Sequence, residues 1–306
     1  MNVEKQARAF FVGRPYLDQI FKVDHIPTGD EKVLARDFVL SLGGNAVMAG
    51  LCCNKLGMPV HILTTHASDD FGLLVVKKLG ENGVSFSPRA VKTTATSVIF
   101  PNGGMRAMVR HYDKDFLEAF PHLEIDDYRI AHFDGHQPDA AIHYAHLCRQ
   151  KKIPTSFDGG SLRENTRELL GYIDIAVVSE RLCEQMHLDT KAMLDYLRRK
   201  GCMVGAVTMG ELGVDWYCRD AENMHLDAVE VPSEKVIDTN GAGDTFHGAY
   251  IYSYLAHPDL CWEFHFRFAA AASAHAIQYL GNEQGLPALA NVMAILNGRP
   301  QLVASA

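Results

Sequence analysis

The sequence predicts an α/β protein, a three-layer α/β/α domain whose mostly parallel sheet carries a small extra set of strands. Apolar runs of strand length alternate with helix-compatible segments along most of the chain, the signature of βαβ units with helices on both sheet faces. Two segments break that rhythm by alternating apolar and polar residues with no helix between them. The composition is that of an ordinary globular chain, with 47% hydrophobic and 22% charged residues among 306. That length fits one large domain over residues 1–306 rather than a string of modules.

The strands are read at residues 7–12, 59–65, 130–134, 154–158, 173–179 and 203–209, where short apolar runs are bounded by turn residues. Helices fall between them at 44–56, 69–82, 139–150, 163–170 and 180–199. From Gly241 onward the pattern is helical, over 241–256 and again over 264–280. The first irregular segment, 18–40, is broken at Pro27, Thr28 and Gly29, and the second, 97–111, turns around Asn102-Gly103, a strong hairpin signal. Segments 14–42 and 96–112 are therefore expected to form a β-sheet lid over the carboxyl ends of the parallel strands, where open α/β sheets bind ligands. An antiparallel edge extension without a role is the alternative.

The 29 basic residues against 37 acidic ones give a net charge of −8, which argues against a nucleic-acid surface but says little about a small anionic substrate. No apolar run reaches the length of a membrane span, and the first ten residues lack a signal-peptide core, so a cytoplasmic protein with no membrane partner is expected. Seven cysteines without CxxC spacing read as reduced, buried thiols.

The most informative stretch is VIDTNGAGDTFHG, from Val236 to Gly248. An apolar run ends at Asp238, and Asn240, Gly241, Ala242 and Gly243 then open a helix. Gly-Ala-Gly lets the backbone turn sharply, and amides gathered at a helix N-terminus make an anion site. Asp244, in the first turn, is placed either to cap that helix or to take a proton from a nucleophile beside a bound phosphate. No GxxxxGK[ST] occurs, and the glycines at 241, 243 and 248 do not fit GxGxxG, so Walker and dinucleotide sites are excluded.

DTNGAGDTF resembles the DTxGAGD signature of the PfkB carbohydrate kinases, the ribokinase-like family. Gly43-Gly44, opening a helix after the irregular strands, resembles that family's GG motif. Asp18 lies where the family places a substrate-binding aspartate. Val207-Thr208-Met209-Gly210 followed by Gly213 is similar to its VTxGxxG nucleotide segment, and Asp158 followed by Arg163 resembles its D-x-N-x-R stretch, with Gly160 in place of the Asn. The resemblance runs from about Phe11 to Pro287. It implies a ribokinase-like fold and transfer of the γ-phosphate of ATP to a hydroxyl of a sugar or sugar acid. It further implies Asp244 as general base, the amides of Asn240 to Asp244 as anion hole, Mg²⁺ on the phosphates and K⁺ near the Asp238 loop. Tyr16 and His136 fall where family members contact substrate, Ser179 near the nucleotide, and lid strands in the family often pair between subunits, which implies a homodimer.

This sequence departs from the pattern at two further places. Met48 stands where the GG motif usually continues to an Asn, leaving Asn45 either to substitute or to cap the helix. The NxxE motif that helps hold Mg²⁺ is replaced by Ser179-Glu180-Arg181-Leu182, so Glu180 or Glu184 is the expected substitute. Arg14, Arg106 and Arg110, on or near the irregular strands, are candidates to recognise a carboxylate, phosphate or sulfonate on the substrate; solvated surface arginines are the alternative. The 15 histidines show no HExxH or structural-zinc spacing, so zinc is not expected, and His247 reads as a packing residue. The small face from Ala269 to Ala274 suits either adenine or a neighbouring helix. Two other readings stay open: a nucleoside or sugar-phosphate kinase on the same scaffold, and a catalytically silent sugar- or nucleotide-binding regulator.

Overall fold

The computed structural model describes residues 8–102 and 105–298. Thirteen strands are present in this range: β1 (Ala9–Val12), β2 (Tyr16–Lys22), β3 (Asp37–Gly43), β4 (Val60–His66), β5 (Ser85–Ala90), β6 (Thr96–Asn102), β7 (Met105–His111), β8 (Ile130–Phe133), β9 (Thr155–Gly159), β10 (Ile175–Ser179), β11 (Val204–Thr208), β12 (Val214–Cys218) and β13 (Met224–Leu226). The helices are α1 (Asn45–Lys55), α2 (Asp70–Glu81), α3 (Pro138–Lys151), α4 (Thr166–Leu169), α5 (Glu180–Gln185), α6 (Thr190–Lys200), α7 (Ala242–Ala256), α8 (Trp262–Ala276), α9 (Asn282–Gly285) and α10 (Leu289–Asn297).

Nine strands form the main sheet in the order β13-β12-β11-β10-β9-β8-β1-β4-β5. All neighbours from β11 to β5 are parallel, and β12 and β13 add an antiparallel edge. Both faces are covered, as a parallel sheet requires. The period-2 pleat sends Phe11 of β1 into a core shared with α1, α7 and α8, while its neighbours Phe10 and Val12 enter a second core with α3 and α6. The strand order reverses between β1 and β8, so Gly13 and Asp134, which directly follow those strands, stand at the topological switch point, where open α/β sheets bind ligands.

The irregular segments form a separate four-stranded sheet, ordered β3-β2-β6-β7. Its register sets a polar row across all four strands: Ser41 opposite Asp18, Asp18 opposite Ser97, and Ser97 opposite Arg110. The opposite face carries Phe21, whose ring lies 4.8 Å from Phe38 and 6.1 Å from Phe100. Strand pairing within 18–40 stops at Lys22 and resumes at Asp37. Of the proposed hairpin turn, Gly103 lies outside the described residues, as does Ala7 of the first strand.

Several expected bounds shift for identifiable reasons. The helix expected over 180–199 is two helices, because His187 takes φ 56° and the Asp189 carboxylate restarts the chain by accepting from Ala192 N at 2.7 Å. The segment 163–170 keeps one α-turn, α4, followed by a 3₁₀ turn at Leu170–Tyr172. Strands β5, β12 and β13 and helices α9 and α10 add to the expected set. Five cysteines are buried, whereas Cys218 is half-exposed and Cys261 exposed. No helix among the described residues is long and apolar enough to cross a membrane.

Candidate active site

The loop from Val236 to Gly241 is pinned before it enters α7. Ile237 N and Asp238 N donate to the Ile277 carbonyl, and the Asp238 carboxylate accepts from Asn240 N at 2.9 Å and from Gly281 N at 3.2 Å. Gly241 then takes φ 74°, a left-handed conformation that glycine adopts without strain, and a Cβ there would press on the Asn282 side chain. Ala242, Gly243 and Asp244 form the first turn of α7, and no side chain caps it. The first amides of a helix have no intrahelical acceptors, so this end keeps donors for an incoming anion.

The second sheet meets that loop through Asp18. Its Oδ2 accepts from Asn282 Nδ2 at 3.1 Å and from Asn240 Nδ2 at 3.3 Å, and Asn240 Nδ2 also donates to Asn282 Oδ1 at 3.0 Å. Asp18 Oδ1 is buried and makes no well-formed hydrogen bond, with the Ser97 hydroxyl the group nearest to serve it. Gly43 and Gly44 permit this arrangement, because a Cβ on Gly43 would collide with the Asp18 carboxylate. Gly44, at φ 102°, is the N-cap of α1. The capping role weighed for Asn45 is not its role: its Nδ2 donates to Asp158 Oδ2 at 2.9 Å.

Asp244 is half-buried in the first turn of α7. Burial and the nearby carboxylates of Asp158 and Asp18 push its pKa well above the ordinary range, against the pull of Arg110 and Arg106. Asp18 is pushed up by burial too, opposed first by the Ser97 hydroxyl and then by Arg110 and the two asparagine amides. Arg106, on β7, reaches the same loop by donating from Nη1 to the Thr239 carbonyl at 3.3 Å.

A second polar group lies at the ends of β1 and β8. Tyr16 is buried against the His136 ring, 5.9 Å between centroids, and the Arg110 guanidinium stands 5.0 Å over the tyrosine. Arg14 is 3% exposed, its Nη1 donating to the Asp113 carbonyl at 2.6 Å while its Nε is buried without a partner. Arg163 donates from Nε to the Asp134 carbonyl at 3.1 Å. The solvated-surface reading therefore fails for Arg14, whereas Arg106 and Arg110 are exposed.

Thr208, Gly210 and Gly213 lie together at the carboxyl end of β11, where Thr208 Oγ1 donates to the Val178 carbonyl at 3.3 Å. Ser179 Oγ donates to the Gly160 carbonyl at 3.1 Å and accepts from Leu182 N at 3.3 Å, so it caps α5 and holds the neighbouring strand end. Glu180 is exposed in the first turn of that helix.

Sequence reasoning missed two residues that organise the site. Asp134 accepts from Ala46 N at 3.1 Å and from His136 N at 2.9 Å, joining the β8 end to the start of α1. Asn282 links Asp18 to Asn240. A single polar residue at a strand end, or one following a glycine, has no periodic signal; only the Gly281-Asn282 pair after an apolar helix hinted at a turn.

The model of the pfkB family carbohydrate kinase matches residues 7–289 of this chain. The ribokinase of Lactococcus lactis subsp. lactis is 24% identical over 298 residues, covering 93% of this chain and 95% of that protein. A crystal structure from Agrobacterium tumefaciens aligns with a TM-score of 0.87 at 24% identity, covering 96% of this chain and 98% of that one. The structure of Arabidopsis thaliana ribokinase complexed with ribose and ATP aligns with a TM-score of 0.77 at 22% identity, covering 95% and 98%. With its ribokinase-like fold and a family match over nearly its whole length, the chain belongs to the pfkB carbohydrate kinases and is an ATP-dependent phosphotransferase with an alcohol group as acceptor.

Proposed function

We propose that this kinase phosphorylates a hydroxyl of a sugar or sugar acid, with Asp244 as general base. The observation that carries this reading is the position of Asp244, in the uncapped first turn of α7 and among the charges of Asp18, Asp158, Arg106 and Arg110. A base there takes the hydroxyl proton while amides of the Asn240 to Asp244 turn, Gly243 N and Asp244 N foremost because Asn240 N is held by Asp238 and Ala242 N by Thr239, stabilise charge on the transferring phosphoryl group. Asp18, whose Oδ1 has only the neighbouring Ser97 hydroxyl beside it, accepts hydrogen bonds from sugar hydroxyls. Tyr16, Gly43, Gly44, Asn45 and His136 complete the sugar side, and Thr208, Gly210, Gly213 and Ser179 the nucleotide side. The second sheet, 14–42 with 96–112, acts as the lid of one domain.

Glu180 offers an exposed, hard carboxylate oxygen suited to Mg²⁺, which supplies charge neutralisation at the nucleotide phosphates. Asp238 commits only one lone pair per oxygen to amides, so its loop retains oxygens for K⁺. The arginines favour an acceptor that carries an anionic group: Arg110 and buried Arg14 flank Tyr16, and Arg163 adjoins His136. The exposed apolar face of the lid, with Phe38 at 50% and Val109 at 70% exposure, supports a homodimer formed through that sheet.

The test is ADP release with Mg-ATP against pentoses, ketohexoses, keto-deoxy acids, sulfosugars and nucleosides. Turnover is expected with an anionic sugar, and Arg110→Ala should raise its KM by roughly tenfold or more, as loss of a charge-assisted hydrogen bond implies, while sparing neutral sugars. Turnover confined to neutral acceptors overturns the acid reading. Ligand binding with no turnover for any acceptor supports a silent regulator instead.

A further inference from the structure

Behind the cleft, three side chains from distant parts of the chain converge in the interior. His132 lies on β8, Asp158 on β9 and His247 on α7, and each is less than a tenth exposed. Metal-ligating atoms of all three lie within 4.8 Å of one another. The two rings are held from behind by one pair of hydroxyls. His132 Nδ1 is 2.8 Å from Ser156 Oγ, Ser156 Oγ is 2.5 Å from Tyr250 Oη, and Tyr250 Oη is 3.3 Å from His247 Nδ1.

That arrangement leaves the Nε2 atoms on the Asp158 side. His247 Nε2 stands 3.5 Å from Asp158 Oδ1, and His132 Nε2 is buried with no hydrogen-bond partner at all. The other Asp158 oxygen accepts from Asn45. An ion here selects the tautomers in which both Nδ1 atoms donate to the hydroxyls, so that two imidazole lone pairs and a carboxylate oxygen face one small space; without an ion, His132 Nε2 stays buried and unpartnered. Buried acceptors in that relation are costly unless a cation sits between them. Burial also lowers the pKa of both histidines, which keeps their rings neutral and able to ligate.

We propose that His132 Nε2, His247 Nε2 and Asp158 Oδ1 bind one divalent transition-metal ion of the zinc class, separate from the Mg²⁺ of the nucleotide. Two imidazoles and one carboxylate suit zinc or cobalt, whereas Mg²⁺ prefers all-oxygen sites with several waters. Three protein ligands leave a fourth position for water. Ser156 and Tyr250 orient the ligands by holding the far ring nitrogens, the usual arrangement around ligating histidines. The absence of zinc spacing in the sequence does not count against the site, because its ligands come from two adjacent strands and a helix far apart in the chain.

The experiment is metal analysis of the full chain as purified, then removal with chelator and titration of the stripped protein with Co²⁺. One equivalent is expected, with the intense visible d–d absorption of a four-coordinate ion, and Zn²⁺ should displace it and raise Tm. His132→Ala should abolish the absorption, and Tyr250→Phe should keep it while weakening affinity by about 10–100-fold. His225→Ala, at an exposed pair of aspartates, should change neither readout. A folded wild-type chain that takes up no Co²⁺ and gains no Tm with Zn²⁺ overturns the proposal without recourse to any variant. So does cobalt absorption that persists in both His132→Ala and His247→Ala.

Discussion

Asn282 donates to Asp18, Nδ2 to Oδ2 at 3.1 Å, and the same Nδ2 donates to the Leu42 carbonyl. The pair joins the second sheet to the segment that follows α8 and fixes the orientation of the carboxylate proposed to hold the sugar. Asn282→Ala should raise the sugar KM about tenfold, equivalent to roughly 1.4 kcal/mol, with a smaller change in kcat. Steady-state kinetics decide it; an unchanged KM means that Asp18 is oriented without Asn282.

Asp244→Asn should lower kcat by about 10²–10⁴-fold and leave the sugar KM within a few-fold, because a general base acts in the transition state. Sugar-dependent ADP release that survives the substitution undiminished removes Asp244 from the mechanism.

The pH profile follows from the neighbours of Asp244. Only the ionised form accepts a proton, and burial with Asp158 and Asp18 moves its pKa well above the ordinary carboxylate value of about 4. The acid limb of kcat should therefore lie above that value, with activity rising as pH increases. Arg106 favours the ionised form, so Arg106→Gln should move the limb to higher pH. A shift to lower pH contradicts the assigned surroundings.

Gly43→Ala places a methyl group where the Asp18 carboxylate lies. It should cost about 1–3 kcal/mol in stability through overpacking, and weaken sugar binding more than ATP binding. Thermal melts and separate KM values for the two substrates test both parts.

Asp134 carries a stability prediction of its own. Burial opposes its ionisation, but the His136 ring and amide and the Arg163 guanidinium outweigh it and hold the folded-state pKa well below the usual range. The resulting stability is fully present above the unfolded value of about 4 and is lost as pH falls below it. Asp134→Asn should cost about 2–3 kcal/mol at neutral pH, and the gap to the wild type should narrow in acid. Melts across pH measure that gap.

The β/α rhythm was readable because burial on both faces writes continuous apolar runs, as in Ile175–Ser179, and because a phosphate loop demands its glycines. Asp18 and Asp244 were readable only through their motifs. The break at His187 carries no glycine or proline to mark it, and its one local signal, Asp189 as the cap of the next helix, sits inside an otherwise helical pattern. Asp158 was singled out for its motif, yet its partners Asn45 and His247 stand 113 and 89 positions away, and no local pattern announces such a meeting. The inward direction of Arg14 likewise depends on strand twist and packing.

Asn282 and Asp18 are separated by 264 positions, and Asn240 and Asp18 by 222. Contacts of such long range form only after the loop between them has lost its freedom, so they come late in folding. Every strand of the main sheet and the GG turn precede Asn282 in the chain, so during synthesis they emerge while Asp18 still lacks its partners. Catalytic activity in a refolding experiment should therefore lag behind recovery of secondary structure, making turnover a clock for the last stitch of the fold rather than for collapse.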